Sequence, residues 1–361
     1  MGLGALAGGL RFICSYPMSP STAVLVFLAK NARRFGLVVE QAEDEISAVN
    51  MGLGAWYTGA RSMVTTSGGG LALMSEGISL PDGGNPLVLH VAQRPGPATG
   101  LPTRTAQEDL ELVLHAGHGE FPRIILAPGT LQEAFALTAR AFMLAEKHQV
   151  PVFILTDQYL MDSFYNVPGL SLEGISTERF ISEAEHGYER YALEEGTPSP
   201  MAVPGSGGGL VCLDSDEHDR AGHITEDLAL RVKMVDRRLG KMRGIAEDAL
   251  EPEVTGEGPN LIVCWGSTGN ACMEAASILR RDDLTVLRVS QPYPLSEKVA
   301  EAMKKAEMVI TVEGNATGQF ARLLRDLTGV TPDGEILRYD GLPFRADTLA
   351  EDLASLLEGR E

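Results

Sequence analysis

Four stretches of the chain carry residue types that could do chemistry. The first is Glu43-Asp44-Glu45-Ile46-Ser47-Ala48-Val49. It follows an apolar run and has the pattern of a helix start, where acidic side chains meet the positive end of the helix dipole. Glu43 and Asp44 read as capping residues. Glu45 differs, because helical spacing places it on one face with Ala48, Val49, Gly52 and Trp56. That face is apolar or small and is expected to be buried. A carboxylate there needs a partner. A buried cap and a functional carboxylate fit this pattern equally.

The second stretch is Thr65-Thr66-Ser67-Gly68-Gly69-Gly70, read as a turn between a strand and a helical stretch, Leu71 to Ser79. Three glycines exceed what a tight turn needs and permit close approach of a backbone or ligand. The third is Tyr16-Pro17-Met18-Ser19-Pro20-Ser21-Thr22. Its two prolines stiffen a non-helical turn, and Ser21 or Thr22 is placed to cap the helix that follows. A rigid loop also suits a hydroxyl held against a substrate. The fourth is the Gly/Pro-rich loop Gln93 to Arg104, after the strand Leu87–Val91. Arg94 can hold a carboxylate through two parallel hydrogen bonds.

Two weaker constellations stand apart. Glu217-His218-Asp219 with His223 has metal-like residue types, but nothing in the spacing fixes a coordination geometry, and a solvated loop is expected. Gly2-x-Gly4-x-x-Ala7 imitates a dinucleotide fingerprint without a preceding strand or a suitably spaced acid, and is rejected.

The elements that position these residues alternate. Strand candidates are Leu37–Val39, Ser62–Thr65, Leu87–Val91, Arg123–Leu126 and Val152–Leu155, then Leu261–Trp265, Leu284–Val289 and Met308–Val312. Helical periods fall between them, the clearest over Thr130–His148. The alternation predicts an α/β fold with two parallel-sheet domains, whose ligands bind at the carboxyl ends of the strands. Gly196-Thr197-Pro198-Ser199-Pro200 and Pro204 to Gly209 punctuate the middle of the chain. A charged helical stretch (Thr225 to Leu250) and an acidic linker (Glu251 to Pro259) follow. A first domain is therefore placed at 1–165, a connecting segment at 166–258 and a second domain at 259–361.

The chain has 361 residues, and 30 Lys+Arg against 49 Asp+Glu give a net charge of −19. Such a chain is a poor binder of nucleic-acid backbones and anionic membranes, and neither is expected as a partner. One cationic pocket would still suffice for a small anionic substrate. No apolar run approaches the roughly 18 residues of a membrane helix. The start lacks a basic region before its apolar residues, so a secretory signal is not expected. The four cysteines have no CxxC spacing, so neither a zinc nor an iron–sulfur site is expected, and the chain reads as a cytoplasmic, reduced protein.

The run from Glu45 through Gly52, Gly54 and Gly59 to Gly68-Gly69-Gly70 resembles the pyrimidine-binding domain of thiamine diphosphate enzymes. Together with Tyr16 to Thr22, Gln93-Arg94 to Thr103, His118 to Arg123, Asp216 to His223 and Val312 to Gln319, it resembles the alpha subunit of 2-oxoacid:ferredoxin oxidoreductases. The Glu217-His218-Asp219 to His223 stretch resembles the 2-oxoglutarate type most. The resemblance implies a pyrimidine-binding domain followed by a domain like the C-terminal domain of transketolases. It implies CoA-dependent oxidative decarboxylation of 2-oxoglutarate to succinyl-CoA and CO2, with electrons passing to ferredoxin, in a reversible reaction. Pyruvate, a branched-chain 2-oxoacid or an aryl 2-oxoacid is the alternative substrate, and a non-catalytic scaffold subunit the alternative role.

Carried over to this chain, the resemblance makes Glu45 the hydrogen-bond partner of the cofactor's aminopyrimidine nitrogen and Arg94 the clamp of the substrate carboxylate. Ser19 and Thr103 become hydroxyl donors to the substrate, and Arg104 a partner for a distal carboxylate. Ser19 stands where the family usually has Thr. The family also has a Gly-Asn-containing segment ahead of the Gly/Ala-rich helix in which this chain begins, so the first strand is expected to be missing. The resemblance assigns Mg2+ and the [4Fe-4S] cluster to a beta subunit, with gamma and delta subunits as further partners, and leaves this chain inactive alone.

Overall fold

The computed structural model describes residues 1–193 and 198–359. Gly196 and Thr197 of the punctuated stretch, and the last two residues of the second predicted domain, lie outside the described residues.

The first half builds a six-stranded sheet from β1 (Phe12–Ser15), β2 (Val38–Gln41), β3 (Ser62–Thr66), β4 (Leu87–Gln93), β5 (Ile124–Leu126) and β6 (Pro151–Asp157). All pairs are parallel, in the order β2-β1-β3-β4-β6-β5. The accompanying helices are α1 (Gly2–Ala7), α2 (Thr22–Phe35), α3 (Glu45–Tyr57), α4 (Gly68–Leu73), α5 (Leu110–Leu114), α6 (Leu131–His148) and α7 (Gln158–Met161). Strand β1 was not among the strand candidates. It is only four residues long, between Arg11 and the Tyr16-Pro17 turn, and it lies inside the sheet between β2 and β3.

The second half builds a five-stranded sheet. After a short pair, β7 (Ile181–Ser182) and β8 (Met201–Ala202), and the long α8 (Leu228–Glu247), come β9 (Glu253–Gly256), β10 (Asn260–Trp265), β11 (Leu284–Val289), β12 (Met308–Glu313) and β13 (Gly334–Leu337). Their order is β13-β12-β10-β11-β9, with β9 antiparallel to β11 at the edge. The acidic stretch expected to be a linker thus contributes an edge strand. Helices α9 (Thr268–Leu279), α10 (Glu297–Lys305), α11 (Gln319–Thr328) and α12 (Ala346–Glu358) cover this sheet.

Local sequence explains the boundaries. Thr130 caps α6 by accepting from the Glu133 backbone N–H, while Glu133 reaches back to the Thr130 N–H. The Asp44 side chain accepts from the Ser47 N–H at 2.7 Å at the start of α3. Ser21 stands at the start of α2, but its hydroxyl donates to the Met18 carbonyl at 2.7 Å instead of capping the helix.

One apolar core crosses both sheets, joining Val49, Leu71, Leu87 and Val91 to Leu261, Trp265, Leu287 and Phe320. Glu133 holds the seam, accepting from Arg288 at 2.9 Å and Ser290 at 2.7 Å. The connecting segment packs on the first sheet's helices. Arg61 and Arg179 both pair with the fully buried Glu146, at 2.6 and 2.7 Å. Lys241 of α8 donates to the Gln149 carbonyl at 2.9 Å.

Candidate active site

Strands β2, β1, β3 and β4 are parallel neighbours, so the segments leaving them emerge at one edge of the sheet. Those segments carry Glu45, Ser19, Gly68–Gly70 and Arg94. Glu45 opens α3 and is only 4% exposed. Its Oε1 is buried and has no hydrogen-bond partner among the described residues. A buried carboxylate oxygen without a donor is costly, so its presence points to a donor supplied from outside the chain.

The three glycines form the first turn of α4, not a turn ahead of it. None has a positive φ. Space, not backbone conformation, selects them. A Cβ on Gly70 would lie 2.1 Å from Thr66 Oγ1 and 2.8 Å from Glu45 Oε1. A Cβ on Gly68 would lie 2.2 Å from Asp109 Oδ1. Gly69 is open, with only the Ala98 carbonyl oxygen at 3.9 Å.

Arg94 is half-buried, and its Nη1 donates to the Ser19 carbonyl at 2.8 Å. The structure thus brings Arg94 and Ser19 together through the Ser19 backbone, while the Ser19 side chain is on an exposed residue. Thr103 is placed elsewhere on the same loop. It is exposed and lines a cleft of about 210 Å³ with Arg104, Tyr159, Asp162 and Leu342. The loop between them is tight: Gly100 adopts φ +54°, and a Cβ there would lie 1.8 Å from the Pro95 carbonyl oxygen.

The far end of this loop is clasped by the second sheet. Gln107 is 2% exposed, donates to the Trp265 carbonyl at 3.0 Å and accepts from the Gly314 N–H at 2.8 Å. The Gln107 N–H donates to the Gly314 carbonyl, and Asn315 Nδ2 donates to the Gln107 carbonyl. Buried Glu313 anchors this turn by accepting from the Phe320 and Ala321 N–H groups at 2.8 and 3.0 Å. Burial pushes its carboxyl above the usual range, against these donors and Asn315. Sequence reasoning singled out Val312–Gln319 without a role and missed Gln107. A Gly-Asn turn after a strand was visible, but its partner lies 207 residues away.

The Glu217-His218-Asp219 stretch is solvated only in part: the Asp219 and His223 side chains are exposed. His218 is 4% exposed and packs, tilted by 33°, against Tyr191 with ring centroids 3.7 Å apart. Glu217 pairs with Arg231 and Arg238, and Asp219 accepts from the Ala221 and His223 N–H groups. These contacts fold the connecting segment on itself. Among the described residues no group of three or more His, Cys, Asp or Glu could hold a metal. No helix among them is long and apolar enough to cross a membrane.

Parallel-strand segments converging on an orphaned buried carboxylate, with a glycine cradle beside it, define a cofactor-binding α/β protein. The chain belongs to the family described as pyruvate flavodoxin/ferredoxin oxidoreductase, thiamine diphosphate-binding, which matches residues 3–237. It is 35% identical over 383 residues to a 2-oxoacid:ferredoxin oxidoreductase alpha subunit of Sulfurisphaera tokodaii, covering 99% of this chain and 60% of that one. It is 30% identical to the 2-oxoglutarate synthase subunit KorA of Methanothermobacter thermautotrophicus, covering 91% of this chain and 89% of that one. The chain thus spans about 60% of the length of the first group of relatives.

The 2-oxoglutarate:ferredoxin oxidoreductase of Magnetococcus marinus, solved with 2-oxoglutarate, coenzyme A and succinyl-CoA bound, superimposes with a TM-score of 0.93 at 32% identity. That match covers 99% of this chain and 64% of that one. A split-gene transketolase shares the fold at 12% identity, with a TM-score of 0.55 and coverage of 99% and 96%.

Proposed function

We propose that this chain forms half of the thiamine diphosphate site of a 2-oxoacid:ferredoxin oxidoreductase, acting on 2-oxoglutarate. The observation that carries this is the buried, unpartnered Glu45 Oε1 beside Gly70. A heteroaromatic N–H is the donor that oxygen lacks, and Gly70 keeps the approach clear of a side chain. Thiamine diphosphate, when bound, supplies the electron sink for decarboxylation. In the reaction, 2-oxoglutarate and coenzyme A give succinyl-CoA and CO2, and two electrons pass to ferredoxin.

In this assignment Glu45 holds and orients the aminopyrimidine through its ring nitrogen. Arg94 binds the carboxylate next to the keto group. One of its nitrogens is committed to the Ser19 carbonyl, which fixes the plane of the guanidinium and leaves the rest of the fork for the ligand. The carboxylate must be held without being over-stabilised, because its charge leaves in the transition state. The Ser19 and Thr103 hydroxyls donate to the substrate, and Arg104, beside Thr103, meets a distal carboxylate.

Relatives named for 2-oxoglutarate, beside others named for 2-oxoacids at large, support 2-oxoglutarate as the substrate. The word subunit in those names supports a partner that completes the site, and so does exposed apolar surface beside Glu45 and the glycines: Ile46 is 53% and Leu73 56% exposed. We assign the diphosphate, Mg2+ and a [4Fe-4S] cluster to that beta subunit, with gamma or delta subunits and ferredoxin as further partners. We keep a pyrimidine-binding domain at 1–165, a connecting segment at 166–258 and a transketolase C-terminal-like domain at 259–361. Four free cysteines support a reducing, cytoplasmic setting.

The test is anaerobic viologen reduction by the chain purified with its beta subunit, supplied with thiamine diphosphate, Mg2+ and coenzyme A. Reduction with 2-oxoglutarate, and not with pyruvate, branched-chain or aryl 2-oxoacids, is the expected result. Reduction with another 2-oxoacid overturns the substrate, and none with an intact, cluster-loaded complex overturns the activity.

A further inference from the structure

We infer that Asp109 is a second carboxyl of this site, a positioning residue whose proton decides how readily Arg94 takes an anionic substrate. The inference rests on the proposed role of Arg94.

The Asp109 carboxyl lies against Gly68: a Cβ there would sit 2.2 Å from Oδ1 and 2.5 Å from both Cγ and Oδ2. Gly68 and Gly70 therefore each make room for a carboxyl, Asp109 on one side and Glu45 on the other. As with Glu45, one oxygen is orphaned: Asp109 Oδ2 is buried and has no partner. Asp109 precedes α5 but does not cap it. Its own N–H donates to Gln93 Oε1 at 3.0 Å, which ties it to the residue before Arg94.

The groups around it are few. From the end of β4 come Gln93 and the Arg94 guanidinium. From its own segment comes Glu108, whose carboxylate accepts from the Gly96 N–H at 2.9 Å. From α4 comes Gly68, with Glu45 beyond Gly70. From α11 comes neutral Gln319, bonded to the Glu108 carbonyl and the Glu111 N–H. Glu111 is itself paired with Arg322 at 2.5 Å. Among the described residues, Arg94 is thus the cation that opposes two acids, and no donor locks Asp109 as an anion. Burial, reinforced by Glu108 and opposed by Arg94, pushes the Asp109 carboxyl up to about 7.

A carboxylate arriving at Arg94 adds a third negative charge to this group. It raises the proton affinity of Asp109, so binding takes up a proton. Protonated, Asp109 leaves the field of Arg94 to the substrate; ionised, it opposes the substrate's charge beside the guanidinium.

Calorimetric titration of 2-oxoglutarate into the complete, cofactor-loaded complex tests this, in buffers of different ionisation enthalpy between pH 6 and 8. A one-unit rise in the Asp109 value on binding gives an affinity loss of about fivefold from pH 6 to pH 8 and uptake of about half a proton near pH 7.5. Asp109→Asn keeps the shape and cannot ionise, so its profile is flat and its proton uptake absent. Binding without uptake in the wild type, or uptake that persists in Asp109→Asn, overturns the inference and leaves the proposed function standing. An infrared titration reads the same group without ligand: a protonated-carboxyl band lost on raising pH, and missing from Asp109→Asn, supports it, and identical titrations in both proteins refute it. Failure of any 2-oxoacid to bind or turn over removes the proposed function and this inference with it.

Discussion

Replacing Gly70 by alanine tests the cradle directly. The added Cβ would meet Thr66 Oγ1 at 2.1 Å, Glu45 Oε1 at 2.8 Å and Glu45 Cγ at 2.9 Å, all inside contact distance. Thr66 is fully buried and Glu45 nearly so, so neither has solvent to move into. Overpacking of this kind costs about 1–3 kcal/mol. The helix propensity of alanine over glycine in α4 returns up to about 1 kcal/mol. The net loss is about 0–2 kcal/mol, and at roughly 2–4 °C per kcal/mol the melting temperature falls by up to about 8 °C.

The functional loss is larger than the stability loss. Displacing the Glu45 carboxyl by an ångström costs on the order of 10²-fold in rate. Thermal unfolding and anaerobic turnover of the assembled complex read the two effects separately. Gly240→Ala is the control. Gly240 lies in α8 with no atom within 4 Å of a Cβ, and the same substitution there stabilises by about 0.5–1 kcal/mol. A Gly70→Ala protein that melts higher than wild type and turns over normally would refute the cradle.

Gln107→Ala removes both side-chain bonds to the second sheet and leaves the Trp265 carbonyl and Gly314 N–H without them. It should destabilise the chain by about 2–4 kcal/mol in denaturant unfolding and raise the KM for the 2-oxoacid through the Arg94–Thr103 loop. Arg61→Met strips the buried Glu146 of its 2.6 Å partner and leaves it only Arg179 and the Phe180 N–H, a loss of about 3–5 kcal/mol by the same measurement. His90 is fully buried, with Nε2 2.8 Å from Thr156 Oγ1 and Nδ1 unpartnered. Burial, with a small charge contribution from the chain's amino terminus, pushes its pKa down to about 3 from 6.5. The unfolded chain therefore takes up a proton as pH falls from 6.5 towards 3 while the folded chain does not, and stability is lost over that window. The unfolding free energies of wild type and His90→Gln from urea titrations should converge by about 2 kcal/mol between pH 7 and pH 5.

Much of this architecture was legible because buried parallel strands are continuous apolar runs, as in Leu261–Trp265. Two strands that escaped notice lack that signal: β9 is exposed along its whole length, Glu253 to Gly256, and β13 is mostly polar or partly exposed. β1 is apolar and buried, and escaped notice because it is only four residues long. The helical face of Glu45 was readable from spacing alone. The relation of Gln107 to Gly314, or of Arg61 to Glu146, is not written in any local pattern, since each joins residues far apart in the chain. The three glycines were readable as a place of close approach, but what approaches Gly68 and Gly70 is Asp109 and Glu45 of the chain itself.

The most direct measurement of the central claim compares wild type with Glu45→Gln in the complete complex. It would follow thiamine diphosphate binding by calorimetry and 2-oxoglutarate-dependent viologen reduction under anaerobic conditions. A folded Glu45→Gln complex is expected whose turnover falls by at least about 10²-fold, because the amide keeps the shape but not the charge that holds the aminopyrimidine. Wild-type turnover in Glu45→Gln would contradict this role of Glu45.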